Sequence, residues 1–111
     1  MENTFIIQKG YPIDPEDNRV DVEELHVHVL FRDKNIHAQL WEYLDNYPGI
    51  FGRVESYQYD TKSELCTLDI VFNREDGDYR RIIDIVSNGV HLFLLNNKVE
   101  APVKSIYPEQ C

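Results

Sequence analysis

With 111 residues, 42% of them hydrophobic and 12% aromatic, the chain has enough apolar material for one modest core and too little length for two. Twenty acids against 11 bases give a formal charge of −9, a field that repels nucleic-acid phosphates and anionic membranes and attracts basic proteins. No run of about 18 apolar residues occurs, so no membrane span is expected. The segment Met1–Lys9 has an acidic second residue and a short apolar run, unlike a secretory leader, which makes the cytoplasm the expected compartment. Cys66 falls in an apolar run and Cys111 is the last residue, a poor basis for a disulfide framework.

Thr4–Gln8 reads as a short edge strand, broken by Lys9-Gly10-Tyr11-Pro12. The next stretch is the most acidic: Asp14, Glu16, Asp17, Asp21, Glu23 and Glu24, with Arg19 as its single base. Pro12 and Pro15 argue against a regular element there, so it is expected to be an exposed loop. Glu24–Arg32 then alternates strictly. Leu25, Val27, Val29 and Phe31 share one face and His26, His28, Leu30 and Arg32 the other, as successive side chains of a half-buried strand must.

Asp33 is a candidate cap for a helix whose stripe is Ile36, Leu40, Tyr43, Leu44 and Tyr47, with Trp41 beside it. Pro48-Gly49 ends that helix. Gly52–Tyr59 reads as a polar edge strand carrying Tyr57 and Tyr59 on one side. Leu65–Asn73 alternates like the first strand, with Cys66, Leu68, Ile70 and Phe72 opposite Thr67 and Asp69. After a loop ending in Asp78, Tyr79, Ile82, Ile83 and Val86 mark a second helix, for which Asn88-Gly89 supplies a stop signal. Val90–Leu95 is nearly all apolar and is expected to be a doubly covered strand, followed by an extension in which Val99–Tyr107 is a last short strand broken by Pro102.

The expected layout is one α+β domain: an N-terminal strand and acidic loop over 1–23, a core over 24–95 and an extension over 96–111. The core order, strand-helix-strand-strand-helix-strand, is that of a ferredoxin-like β-α-β-β-α-β sandwich, with two helices on one face of an antiparallel sheet.

In that layout His26 and His28 lie on the open face of the sheet, with Asp69 pointing the same way from the neighbouring strand. A His-x-His pair puts two imidazoles about 7 Å apart by strand rise, a spacing suited to two ligands of one metal with Asp69 or His91 as the third. Alternatively, Asp69 orients one imidazole for acid–base work. A strand face bearing His, Leu and Arg is more often an ordinary surface or interface. No phosphate loop, His-Glu-x-x-His, Cys-x-x-Cys or Gly-x-Ser-x-Gly occurs, and no cofactor is expected.

The acids leave a different expectation. Asp14, Glu16, Asp17, Asp21, Glu23 and Glu24 would face the basic groups of a partner, while Trp41, Tyr57 and Tyr59 anchor its centre, because Tyr and Trp bury large area and keep a polar tip. In size, acidity and small α+β layout the chain resembles bacterial immunity proteins and phage-encoded inhibitors. Those groups share a role more than a motif, so the resemblance assigns no residue. It implies a non-enzymatic protein that neutralises a basic partner, such as a nuclease toxin or a nucleic-acid-handling complex, without touching nucleic acid itself. The alternatives are a small metal-binding or acid–base enzyme using His26, His28 and Asp69, or a homodimer joined through its open sheet faces.

Overall fold

The computed structural model describes residues 4–11 and 24–108. It is an α+β structure with a five-stranded mixed sheet and three helices. The elements are β1 (Phe5–Lys9), β2 (Glu24–Phe31), α1 (His37–Asp45), the single-turn α2 (Pro48–Phe51), β3 (Arg53–Asp60), β4 (Leu65–Asn73), α3 (Tyr79–Asn96) and β5 (Val103–Ile106). Their order in the sheet is β3-β4-β2-β1-β5, with every pairing antiparallel except β1 with β5.

The alternating strands form the centre of the sheet. Along β2, Leu25, Val27, Val29 and Phe31 are buried while the residues between them are half-exposed. On β4, Cys66, Leu68, Ile70 and Phe72 join them, and Phe5 and Ile7 extend the apolar face across β1. Leu40 and Leu44 of α1 and Ile82, Ile83, Val86, Val90, Phe93 and Leu94 of α3 close over that face in one continuous core. Burying alternate residues of three adjacent strands fixes the register, since a one-residue slip would turn each apolar set to the other side.

Val90–Leu95 is the largest correction to the expected layout: it is helix, not strand. α3 runs unbroken through Asn88-Gly89 for 18 residues. The reason is visible in its buried positions, Ile82, Ile83, Val86, Gly89, Val90, Phe93 and Leu94, which keep the helical period across the supposed stop. Gly89 serves a packing purpose instead of a C-terminal one. A Cβ there would lie 2.9 Å from the ring of Phe51 and 3.2 Å from Leu44, so the bare backbone lets α1 and α2 approach α3. Helix propensity favours Ala over Gly by about 1 kcal/mol; contact with the neighbouring elements overrides it.

With that strand gone, the sheet departs from the ferredoxin-like expectation. The place beside β2 is taken by β1, which was expected at an edge and lies instead between β2 and β5. The last strand, expected over Val99–Tyr107, is confined to Val103–Ile106 and pairs in parallel with β1. β3 does lie at an edge.

The helix caps divide as well. Asp78 caps α3, its side chain accepting a hydrogen bond from Arg81 N at 3.0 Å. Asp33 does not cap α1. It accepts from Asn35 N at 3.0 Å in a turn, and the helix begins at His37 with Ile36 in the cap position.

Candidate functional site

On the open face of the sheet two imidazoles and a carboxylate are set close together. In the β2–β4 ladder His28 stands directly opposite Asp69, and His26 opposite Val71. Gln8 of β1 continues that row beyond His28, and Ser56 of β3 continues it beyond Asp69. Asp69 is only 1% exposed although it points away from the helices. The imidazoles lie over it. His26 Nδ1 is 2.9 Å from Asp69 Oδ1 and 3.1 Å from Oδ2, while His28 Nε2 is 3.5 Å from Oδ1.

These contacts fix the chemistry of each ring. An ionised carboxylate only accepts, so His26 donates through Nδ1–H. A carbonyl oxygen also only accepts, so His28 donates through Nε2–H to the backbone oxygen of Tyr11, 2.8 Å away. Placing an imidazole over a buried carboxylate supplies the hydrogen bonds without which burial of that charge would cost several kcal/mol, on the order of the penalty for any unpaired buried ion.

His28 is held from its other side too. Gly10 N donates to the His26 carbonyl at 2.9 Å, which seats Gly10 against the His28 ring. A Cβ at Gly10 would lie 2.2 Å from His28 Cδ2, an impossible distance. The role of Gly10 was not legible in the sequence, where Gly10 and Pro12 read simply as a strand stop. Only the pairing of β1 with β2 brings it to the ring.

The three expected ligands His26, His28 and Asp69 are therefore brought together, as a hydrogen-bonded group. His26 Nδ1 and His28 Nε2 are occupied by Asp69 and Tyr11, and among the described residues no set of three His, Cys, Asp or Glu side chains has the geometry to hold a metal. The alternative third ligand, His91, is a correction: it lies on the solvent side of α3, because its segment is helix.

Of the residues expected to meet a partner, Asp14, Glu16, Asp17, Asp21 and Glu23 lie outside the described residues. Glu24, at the start of β2, faces Arg53 of β3, with Arg53 Nη2 3.5 Å from Glu24 Oε2 and Arg53 Nε donating to Glu55 at 2.9 Å. The hydrogen bond to Glu55, and the charges of Glu55 and Glu24, raise Arg53 above its ordinary value against the opposing pull of burial.

The aromatic residues are half-buried on the helix side, not on the histidine face. Trp41 packs on the core, and Tyr57 stacks on His37 at 4.0 Å between ring centres. Tyr59 receives Lys34 Nζ 5.6 Å from its ring centre. A bulge between Val54 and Ser56 sets this facing. Burial, and then the hydrogen bond that its hydroxyl donates to Cys66 Sγ at 3.3 Å, push Tyr57 up to about 12. Cys66 itself is fully buried on the core face.

Two grooves lie elsewhere, at the N-terminal end of α3. One, of about 420 Å³, is lined by Asp78, Tyr79, Arg80, Tyr107 and Pro108. The other, of about 360 Å³, is lined by Leu25, Arg74, Gly77, Asp78 and Tyr79. Arg80 stacks over the Tyr107 ring and the Tyr107 hydroxyl donates to Asp84, a bond that holds its proton and raises it above the ordinary phenol value.

No helix among the described residues is long and apolar enough to cross a membrane. No family model matches the chain, and neither a curated protein nor a solved structure shows significant similarity to it.

Proposed function

We propose that the chain is a non-enzymatic binding protein that neutralises a basic protein partner, of the immunity-protein or phage-inhibitor type. The observation that carries this reading is where the charge lies. Asp14, Glu16, Asp17, Asp21 and Glu23 oppose the single base Arg19 in the stretch joining β1 to β2, whereas the described residues carry acids and bases in near balance. A concentrated anionic stretch raises the encounter rate with a cationic surface and makes the complex salt-sensitive. The histidine group lies on the sheet face away from the helices, apart from the two grooves at the N-terminal end of α3, and on this reading it serves recognition. The partner on this reading is a nuclease toxin or a protein of a nucleic-acid-handling complex, bound in the cytoplasm. We also hold that the run β2, α1, β3, β4, α3 is a ferredoxin-like core whose final strand has been replaced by β1.

The test compares the native chain with a variant carrying Asp14→Asn, Glu16→Gln, Asp17→Asn, Asp21→Asn and Glu23→Gln. Each is used to capture proteins from a lysate of the source cells at low and at raised salt. The native chain is expected to retain a basic protein at low salt, to release it as salt rises, and to lose it in the variant. Identical captures by both chains would overturn the reading.

A further inference from the structure

Each imidazole of the histidine group has one ring nitrogen outside these hydrogen bonds, Nε2 of His26 and Nδ1 of His28. Only that of His26 belongs to a ring whose N–H is held by Asp69 at 2.9 Å. Both hydrogen bonds of His26 run through Nδ1, and among the described residues Nε2 makes none. Among the described residues no buried side-chain nitrogen or oxygen lacks a partner, so Nε2 is open to solvent, in keeping with a side chain that is 17% exposed. The ring is locked as the Nδ1–H tautomer by a carboxylate that can only accept. Its Nε2 therefore presents a lone pair outward, with a buried negative charge directly behind the ring.

Such an imidazole is a stronger acceptor than an isolated one, because the carboxylate stabilises the positive charge that a bound donor induces on the ring. The net charge of the His26–Asp69 unit is negative, yet the part exposed is a neutral nitrogen. Glu24 lies on the same face two residues along β2 and adds a second anionic group. Of the cations on that face, Arg53 is engaged with Glu24 and Glu55, and Arg32 donates to the Ser63 carbonyl at 2.8 Å. His28 contributes no donor to the outside, since its Nε2–H is spent on Tyr11.

We infer that His26 Nε2, backed by the Asp69 carboxylate, is a binding point for a cationic N–H donor: an arginine guanidinium or lysine ammonium of the basic partner. The inference rests on the function proposed above for the identity of the donor, and on geometry alone for the acceptor. It gives the open face a specific contact where the acidic stretch supplies only attraction. A charge-assisted bond of this type is about twice as strong as a neutral one, and it forms only while Nε2 is unprotonated.

The test is nuclear magnetic resonance of the ¹⁵N-labelled full chain at about pH 8, where an ordinary imidazole is neutral. Long-range proton–nitrogen correlations report the tautomer without any substitution, and the proton is expected on Nδ1 of His26. Titration with ethylguanidinium is expected to move the His26 Nε2 resonance progressively. Tetramethylammonium, a cation without an N–H, is expected to leave it in place at equal ionic strength. In Asp69→Asn the ethylguanidinium response is expected to fall to about half or less. A proton on Nε2, an equal response to both cations, or an undiminished response in Asp69→Asn would each overturn the inference. Should the variant not fold, the tautomer and the two cations decide the matter on the native chain. Capture separates the two proposals. The expected His26 response together with identical captures by the native and five-acid chains sinks the function and keeps the site. Salt-sensitive capture that is lost in the five-acid variant, without that response, sinks the site alone.

Discussion

The two faces of β2 and β4 are built from alternate residues of the same strands, and they obey different rules. On the covered face Leu25, Val27, Val29 and Phe31 meet Cys66, Leu68, Ile70 and Phe72, and the stabilisation is non-directional burial of apolar area. On the open face, His26 and His28 meet Asp69 through hydrogen bonds of fixed direction. Either apolar row tolerates substitution by a residue of similar shape. The polar group does not, because each partner satisfies a neighbour that burial would otherwise leave unpaired. One register serves both faces.

The largest effect should come from the covered face. Phe31→Ala removes a fully buried ring that stacks on Phe5 at 5.3 Å between centres. It is expected to cost about 3–5 kcal/mol, read as a lowered urea midpoint. On the open face Asp69→Ala leaves His26 Nδ1–H without its acceptor, at a cost of about 1–3 kcal/mol. If the two form a unit, His26→Ala in the same chain should recover part of that loss; strictly additive costs in the double-mutant cycle would show that they act separately.

Gly89→Val probes the far side of the core. The added methyls meet Phe51 and Leu44, and a loss of about 1–3 kcal/mol is expected, whereas Gly49→Ala, with nothing within 4 Å of the new Cβ, should be neutral or slightly stabilising. A thermal melt of the pair distinguishes packing from propensity. Asp78→Ala removes the cap of α3 and should cost about 1 kcal/mol, visible in the same melts.

The smallest effect is confined to alkaline solution. Tyr57 has its folded value pushed up to about 12 from the ordinary 10.0, so its protonated form is favoured in the folded chain. Its contribution is therefore fully present below pH 10 and is lost as pH rises from there toward 12. Phenolate absorbance should show Tyr57 and Tyr107 titrating later than an ordinary phenol, and Tyr57→Phe should remove one tyrosine's share of that late absorbance, the part centred near 12. A titration curve unchanged by the substitution would refute the assignment.

Much of this comparison was legible in the sequence, because alternation reports facing directly. The central strands, their apolar rows and the common direction of His26, His28 and Asp69 all follow from a period of two. What the sequence concealed was contextual. Gly89 has the same composition cue whether it ends a helix or admits a neighbouring ring, and only the continuing stripe of Val90, Phe93 and Leu94 distinguishes the two. Val90–Leu95 is apolar enough for a buried strand or a buried helix, an ambiguity that short runs always carry. The bulge at Val54/Ser56, which turns Tyr57 and Tyr59 toward the helices, has no residue signature. The seating of Gly10 on His28 depends on a pairing between strands that no local pattern encodes.

The parallel seam between β1 and β5 has a consequence for the order in which the molecule assembles. Phe5 is in register with Val103, so that pair closes nearly the whole length of the described chain into a loop. The β3-β4 hairpin joins residues close in sequence, and its loop-closure entropy is small. The seam, with its four short pairs and the Ser87–Ser105 hydrogen bond to α3, forms last on this basis and opens first. Amide exchange should accordingly run in a gradient across the sheet, slow along β4 and fast along β5. The outermost strand then acts as a seal on β1 that fluctuates while the histidine face beside it stays in place.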